Sequence, residues 1–372
     1  MSITHICVFP TQKQIEYMLN EISPIENLIL VIQDDSKTDR EVFTKNGYSF
    51  RIYGKIIPEK ILSSLKENSA RVMCCHEEAI YWVRIYGSRK WVYQFGPKYL
   101  DVLSKKCFKE FLSQVGIKNS SFYVNSELIP GFPVIAKPSI GFGSIGVKRL
   151  ANQAEALQYI SHYDEMCSQS AINKYKNLYF PHDPNPILFE EIIVGDFYRT
   201  PFIVYNHSCV AIFPIRGVRN QNEIYSDFHW VDFEYSENER KVAEDVKPLF
   251  EEIRKNFMLE DGVYVAEFIQ TSDKEIYLLE FSPRQTSSRI AKIVNLATGI
   301  DLERIGIDLF FKRRNIVLNQ IEDKQIKLVM GCNNEVFPPN GYNVLCHEPS
   351  NDIHGNTVEE YFLEKKNCLL IE

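Results

Sequence analysis

Short apolar runs alternate with helix-spaced stretches through the first hundred residues. Thr4 to Phe9 is apolar and stops at Pro10, and Gln12 to Asn20 spaces its apolar side chains for one helical face. Leu28 to Ile32 is a compact apolar run that ends in acidic residues, Asp34 and Asp35. Arg71 to Cys75 repeats that pattern, and Ala79 to Ile85 has helical spacing. Uninterrupted apolar runs of this length are how strands buried on both faces of a parallel sheet read. The stretch therefore predicts a small α/β layer domain ending near Gly96 and Pro97. It contains no Gly-x-Gly-x-x-Gly turn, which leaves a dinucleotide role without support.

Ser104 to Val115 is the clearest helix of the chain. Ser104 suits the N-cap, Phe108, Phe111 and Leu112 fall on one face, and Gly116 ends it. A strand at Pro133 to Lys137, a glycine-rich loop and a second strand at Val147 to Leu150 follow, then a helix at Gln153 to Ser161. The polar and aromatic residues 168–186, with Pro181, Pro184 and Pro186, read as a loop. Strands resume at Leu188 to Val194 and Pro201 to Phe213. Residues 217–236 are irregular, and a helix is expected over about 239–256. Gly262 to Gln270 and Glu275 to Phe281 form a hairpin around Thr271, Ser272 and Asp273. One helical stretch, Ile290 to Phe311, comes next, and the last sixty residues read as short strands and loops.

The 372 residues are 45% hydrophobic and 24% charged, which is ordinary globular composition and enough for two or three domains. A formal net charge of -7 provides no broad basic field for nucleic acid or an anionic membrane. The nine cysteines are scattered without a Cys-x-x-Cys pair, as reduced cytosolic thiols are. His76 beside Cys74 and Cys75 is the only local cluster of metal-binding types. A strand end with small apolar thiols explains it better than a metal site. No leader-like N-terminus and no apolar run of about 18 residues is present, so a cytoplasmic protein without a membrane span is expected.

Three constellations carry chemistry. In Gly131-Phe-Pro-Val-Ile-Ala-Lys137-Pro-Ser139-Ile-Gly141-Phe-Gly143-Ser144-Ile-Gly146 a lysine ends an apolar strand and a glycine loop follows. Glycines let backbone N–H groups converge on an anion and the lysine adds a full charge, which suits polyphosphate; a plain glycine hairpin is the alternative. It is not a Walker A loop, because the lysine precedes the glycines and a strand follows them. In Leu188-Phe-Glu190-Glu191-Ile-Ile193-Val-Gly195-Asp196 two carboxylates precede a glycine turn, either a solvated acidic turn or a seat for adenine and ribose. Finally, Glu267 and Glu280 lie inside the two strands of the predicted hairpin, and Ser282-Pro283-Arg284 closes the second. Adjacent strands bring such acids to one face, where they need a shared cation or a proton. The alternative is one acid paired with Arg284.

In this order the constellations resemble the ATP-grasp superfamily, in particular its carboxylate-amine ligases and the relatives of biotin carboxylase and of the carbamoyl-phosphate synthase large subunit. The resemblance covers roughly residues 98–312. It implies a mixed α/β and α+β chain: a Rossmann-like pre-ATP-grasp domain over 1–97, an ATP-grasp domain over 98–320 with a lid at about 120–190, and C-terminal strands and loops over 321–372. Lys105 and Lys137 would contact ATP phosphates, Ser139 to Gly146 would form the lid loop, and Glu190 to Ile193 the adenine hinge, with Glu190 on the adenine amino group. Asp196 is the ribose candidate, although strict spacing puts Phe197 there. Glu267 and Glu280 would bind magnesium, with manganese as the alternative. Ser282 stands where the family usually has asparagine, a shorter neutral ligand for a second ion.

The chemistry so implied is phosphorylation of a substrate carboxylate by ATP and attack of an amine on the acyl phosphate, with Lys137 and Arg284 catalytic. Other ATP-grasp reactions (carboxylation, hydroxyl phosphorylation) and a non-catalytic nucleotide-binding regulator are the alternatives. The expected partners are a small carboxylate and an amine, with no nucleic acid or membrane; a homodimer is an expected assembly. Among Arg199, Arg216 and Arg219, Arg216 is the choice for the substrate carboxylate, against a surface role for each. The aromatic stretch Tyr225 to Tyr235 lines an acceptor pocket or covers the sheet.

Overall fold

The computed structural model describes residues 4–20, 28–32, 41–45, 48–54, 57, 59–141, 146–168, 186–218, 232–285, 288–312, 326–330, 342–351 and 357–365. Its first layer contains β1 (Thr4–Val8), α1 (Gln12–Asn20), β2 (Leu28–Val31), β3 (Glu41–Lys45), β4 (Tyr48–Tyr53), α2 (Glu59–Glu67), β5 (Ala70–Cys74), α3 (Glu77–Tyr86) and β6 (Trp91–Tyr93). The sheet runs β3-β4-β2-β1-β5-β6, all parallel except the edge strand β3. Every residue of β2 is buried, in keeping with its unbroken apolar run. In such sheets ligands gather beyond the carboxyl ends of the strands. There the chain turns from β5 into α3, where His76 Nδ1 accepts from the Glu78 amide at 3.2 Å and caps the helix.

The short helix α4 (Lys98–Asp101) and α5 (Lys105–Gln114) lead into a four-stranded antiparallel sheet, ordered β7 (Phe122–Tyr123), β10 (Ile187–Glu191), β8 (Val134–Pro138), β9 (Lys148–Leu150). Helix α6 (Gln153–Ser168) covers it, burying Ala156, Tyr159 and Tyr163 against Val134, Ala136, Leu150 and Phe189. As expected, the Ser104 hydroxyl caps α5, accepting from the Cys107 amide at 3.2 Å, and Gly116 ends the helix with a φ of 76°.

The third sheet has nine strands: β11 (Asp196–Tyr205), β12 (Ser208–Ile212), β13 (Ile215–Val218), β14 (Asp232–Tyr235), β15 (Gly262–Gln270), β16 (Ile276–Ser282), β17 (Ile326–Met330), β18 (Tyr342–Asn351) and β19 (Thr357–Lys365). Helix α7 (Glu237–Asn256) lies over one face, and α8 (Ser288–Thr298) and α9 (Leu302–Phe310) pack on the other. The expected hairpin is β15 and β16. The C-terminal strands β17 to β19 extend this same sheet beyond β14.

Two expectations are corrected here. The strand expected over Pro201 to Phe213 is two strands, β11 and β12, turning at Asn206 and His207, whose φ angles of 49° and 60° suit a tight hairpin turn. The helical stretch Ile290 to Phe311 is broken at Gly299, with φ 72°, and restarts where Asp301 Oδ1 accepts from the Arg304 amide at 3.1 Å. Most of 168–186 and of Tyr225 to Tyr235, together with Arg219, lies outside the described residues. Among the described residues no helix is long and apolar enough to cross a membrane, and Cys7, Cys74, Cys75, Cys107 and Cys209 are free thiols.

One hydrophobic core joins the first layer to the large sheet: Trp82, Phe95 and Tyr99 belong to the same buried cluster as Phe202, Phe250, Phe257 and Phe281. The Tyr99 hydroxyl donates to the Phe281 carbonyl at 2.7 Å, and the Tyr264 hydroxyl to that of Gln94 at 2.7 Å. Gly195, in the turn between β10 and β11, packs so closely that a Cβ there would fall 2.3 Å from the Gln270 carbonyl oxygen. Gly195→Ala is therefore expected to cost about 1–3 kcal/mol, read as a lower urea midpoint with the slope unchanged; an unaltered midpoint would mean that the turn relaxes freely.

Candidate active site

The register of the large sheet builds the acidic half of the site. Arg199 on β11 stands opposite Glu267 on β15, and Glu267 stands opposite Glu280 on β16, so the three share one row across three strands. Arg199 Nε and Nη2 both reach Glu267 Oε1, at 2.6 and 2.5 Å. Burial works against the Arg199 charge, but Glu267 and then Glu280 outweigh it and raise its pKa. Glu280 has the opposite balance. Burial raises its pKa, and Glu267 and Glu77 add to the effect against the pull of Lys105 and Lys137.

Glu77 arrives from the first layer, as the opening residue of α3. The Ser282 hydroxyl donates to Glu77 Oε2, and Arg284 Nε donates to the same oxygen at 2.7 Å. Burial opposes its ionisation, yet Arg284, Ser282 and Lys105 hold its carboxyl below the usual carboxylate range. Arg284 Nη1 also donates to the Gln285 carbonyl at 2.7 Å, which fixes the plane of the guanidinium.

The basic half comes from α5 and β8. Lys105 and Lys109 are four residues apart and lie on one helical face. Lys105 Nζ donates to the Gly141 carbonyl at 2.6 Å, and its backbone amide to the Ser139 carbonyl at 2.8 Å, tying the helix start to the loop after β8. Gly141 has a φ of 135°, which a side chain would strain. Burial lowers the Lys105 pKa, as does neighbouring Lys137, with Glu280 opposing. Lys137 on β8 faces Leu188 on β10, two positions from Glu190, and its Nζ lies 2.6 Å from Glu190 Oε1. Lys109 is fully enclosed; its Nζ donates to Ser120 Oγ at 2.7 Å and lies 3.4 Å from Glu190 Oε2. Glu190 is itself buried, and Lys109 and Lys137 overcome the effect of burial to lower its pKa.

Lys105, Lys137, Glu267, Glu280, Ser282 and Arg284 thus belong to one electrostatic cluster, with Glu190 at its edge. Ser139 belongs too: its hydroxyl is buried and unpartnered among the described residues. At the far ends of the loop, Gly146 (φ 76°) accepts from the Tyr159 hydroxyl at 2.6 Å, while Gly143 and Ser144 lie outside the described residues. Glu191 is exposed, Ile193 is half-buried, and Asp196 is exposed at the start of β11.

Arg216 is not brought to the others. It pairs with Tyr198, next to Arg199 and therefore on the opposite face of β11, beneath α7. There it meets Glu234, Glu239 (3.4 Å) and Asp196 (3.8 Å). Glu77 and Lys109 are absent from the sequence reading, although each left a signal: Glu77 follows an apolar strand at its carboxyl end, and Lys109 interrupts the apolar face of an otherwise amphipathic helix.

Glu267 and Glu280, opposite each other on β15 and β16, are the residues that could hold a divalent cation. Oxygen ligands suit magnesium, and a cation would offset the burial and the like-charge repulsion that raise the Glu280 pKa. Ser282 gives its hydroxyl to Glu77. Among the described residues no group of three or more His, Cys, Asp or Glu is placed to hold a metal ion.

Residues 130–292 match the sequence model of the ATP-grasp domain. No curated protein sequence matches the chain. Its fold is similar to L-amino acid ligase from Bacillus licheniformis (TM-score 0.64, 10% identity, 99% of this chain and 95% of that one). It is similar also to biotin carboxylase from Campylobacter jejuni (0.61, 11%, 98% and 88%). A third is N5-carboxyaminoimidazole synthase from Aspergillus clavatus, solved with ADP and 5-aminoimidazole ribonucleotide (0.62, 10%, 97% and 93%). The domain match takes in Lys137, Glu190 and the acid row, and the fold is shared over nearly the whole chain: residues 130–292 carry an ATP-grasp domain, and the chain as a whole has the fold of these ATP-dependent enzymes' structures.

Proposed function

We propose that this chain is an ADP-forming carboxylate-amine ligase acting on small molecules. The observation that carries the reading is that Lys105, tied to the loop after β8, and Lys137, at the end of β8, act on each other and on Glu280, in one cluster with the Glu267–Glu280 row and the Arg284–Glu77 pair. Cations from α5 and β8 meet acids from the β15–β16 hairpin, an arrangement suited to a metal-bound polyphosphate.

In this reading Lys105 and Lys137 bind the ATP phosphates, the backbone around Ser139 and Gly141 closes over them, and Glu190 with Glu191 and Ile193 meets the adenine. Glu267 and Glu280 hold magnesium, which supplies neutralisation of phosphate charge. Arg284, oriented by Glu77, faces the substrate carboxylate. A carboxylate oxygen attacks the γ-phosphorus, the bond to the β-phosphate oxygen breaks, and ADP leaves with the electron pair. An amine then adds to the acyl carbon, phosphate departs, and a proton is released. Most of the rate enhancement comes from positioning and charge neutralisation, with the closed lid excluding water.

The L-amino acid ligase neighbour supports amino acids as carboxylate and amine. The biotin carboxylase neighbour supports a second reading, carboxylation using bicarbonate. Screening amino-acid pairs and small carboxylates with Mg·ATP tests both. Magnesium-dependent ADP release that needs a carboxylate and an amine together is the expected result. Release stimulated by bicarbonate alone favours the second reading, and formation of AMP and pyrophosphate sinks both.

A further inference from the structure

Glu190 carries one negative charge and faces two ammonium groups. One, Lys137, is 13% exposed and borders the site; the other, Lys109, is completely enclosed. They approach different oxygens of the carboxylate, Oε1 and Oε2, from different elements, β8 and α5. We propose that Lys109 is a positioning residue, a reserve counter-ion that holds Glu190 so that Lys137 can swing from the carboxylate to an incoming polyphosphate. The inference rests on the nucleotide reading above and concerns what makes Lys137 available.

The physical reason is the cost of an unpaired buried charge. If Lys137 were the sole partner of Glu190, moving its ammonium to a phosphate would strand a buried carboxylate, and binding would have to offset that penalty. Lys109 removes the penalty. It is fixed by the Ser120 hydroxyl at 2.7 Å, which also donates to Glu190 Oε2 at 3.2 Å, so the Lys109–Ser120–Glu190 unit stays whole when Lys137 departs. Burial lowers the Lys109 pKa to about 8 against the opposing effect of Glu190, which leaves the group mostly protonated at neutral pH. Lys137 has somewhere to go: it lies close enough to Lys105 to depress that lysine's pKa, so a polyphosphate between them relieves a like-charge contact. A lysine in the middle of an amphipathic helix, on its buried face, otherwise lacks a reason to be there.

The test compares binding of Mg·ATP and of adenosine, by titration calorimetry, to the wild-type chain and to Lys109→Met, Lys109→Arg and Lys109→Met/Glu190→Gln. Methionine keeps the volume and removes the charge, so Lys137 becomes indispensable to Glu190. Affinity of Lys109→Met for Mg·ATP is expected to fall about 10- to 100-fold, the worth of one charge-assisted phosphate contact, while adenosine changes by less than about threefold. Lys109→Arg keeps the wild-type ratio of the two affinities. The double variant has no carboxylate to strand, holds no unpaired buried charge that would prevent folding, and recovers that ratio.

The inference is overturned if Lys109→Met binds Mg·ATP like the wild type, if it loses both ligands by the same factor, or if the double variant stays defective for the triphosphate alone. A wild-type chain that binds neither ligand overturns the nucleotide reading itself and this inference with it.

Discussion

Replacing Glu280 with glutamine is expected to lower turnover by about 10²–10³-fold or more, while raising the thermal midpoint of the ligand-free chain at neutral pH. The two effects have one cause. Burial and the nearby carboxylates of Glu267 and Glu77 raise the Glu280 pKa in the folded state. A group shifted in this direction contributes full stability below its unfolded pKa and loses it as pH rises through the folded value. At pH 7–8 the ionised carboxylate therefore costs stability, and in the proposed ligase that cost prepares a seat for a doubly charged ion. Glutamine is nearly isosteric and neutral: it removes the repulsion together with the metal ligand. The stability gap between variant and wild type should shrink as pH falls towards about 4, where the unfolded carboxyl also protonates. Steady-state ADP release and thermal melts across pH 4–8 check the two halves separately. Unchanged turnover would sink the metal assignment; a midpoint gap that ignores pH would sink the like-charge account.

Glu190→Leu should act in the opposite sense on the fold. It leaves Lys109, wholly buried, without its carboxylate partner, and breaking a buried pair from one side costs about 3–5 kcal/mol. Lys137 can turn towards the site; Lys109 cannot. Urea denaturation at pH 7 should show a loss of that size, most of it recovered in Glu190→Leu/Lys109→Met, where the pair is replaced by apolar groups of similar volume. A double variant as unstable as the single one would show that the loss comes from packing around Phe189 and not from the stranded ammonium.

Much of the molecule was legible from periodicity and punctuation. The strands β1, β2 and β5, the helix α5 with its cap and glycine stop, and the β15–β16 hairpin all carry strong local signals. Two elements were not foreseen for different reasons: β6 spans only three residues and signals weakly, whereas β4 (Tyr-Ser-Phe-Arg-Ile-Tyr) lies between Asn46-Gly47 and Gly54, a hairpin signal that was there in the sequence. The division of Pro201 to Phe213 depends on Asn206 and His207 adopting positive φ, a choice that a tyrosine-flanked polar pair does not announce. Within the site, the lysine–glycine loop and the acid–serine–proline–arginine ending stood out because each is contiguous. Pairings across elements did not: Arg199 with Glu267 follows from register, Glu77 with Arg284 from packing of separate layers, and Lys109 with Glu190 from a helix meeting a distant strand. Arg216 shows the limit of counting along a chain, since neighbouring positions on a strand face opposite ways and the side of the sheet decides which charges it meets.

The carboxylate that orients Arg284 belongs to the first layer, and Lys105 with Lys109 to the helix that follows, whereas the domain match begins at residue 130. The candidate site is thus not a portable cassette. Cut out at those limits, the segment would keep its acid row with Arg199 and Lys137 but lose Lys105, Lys109 and Glu77, and a graft from a relative would have to bring α3 and α5 along for the borrowed Arg284 and Glu190 to find their partners.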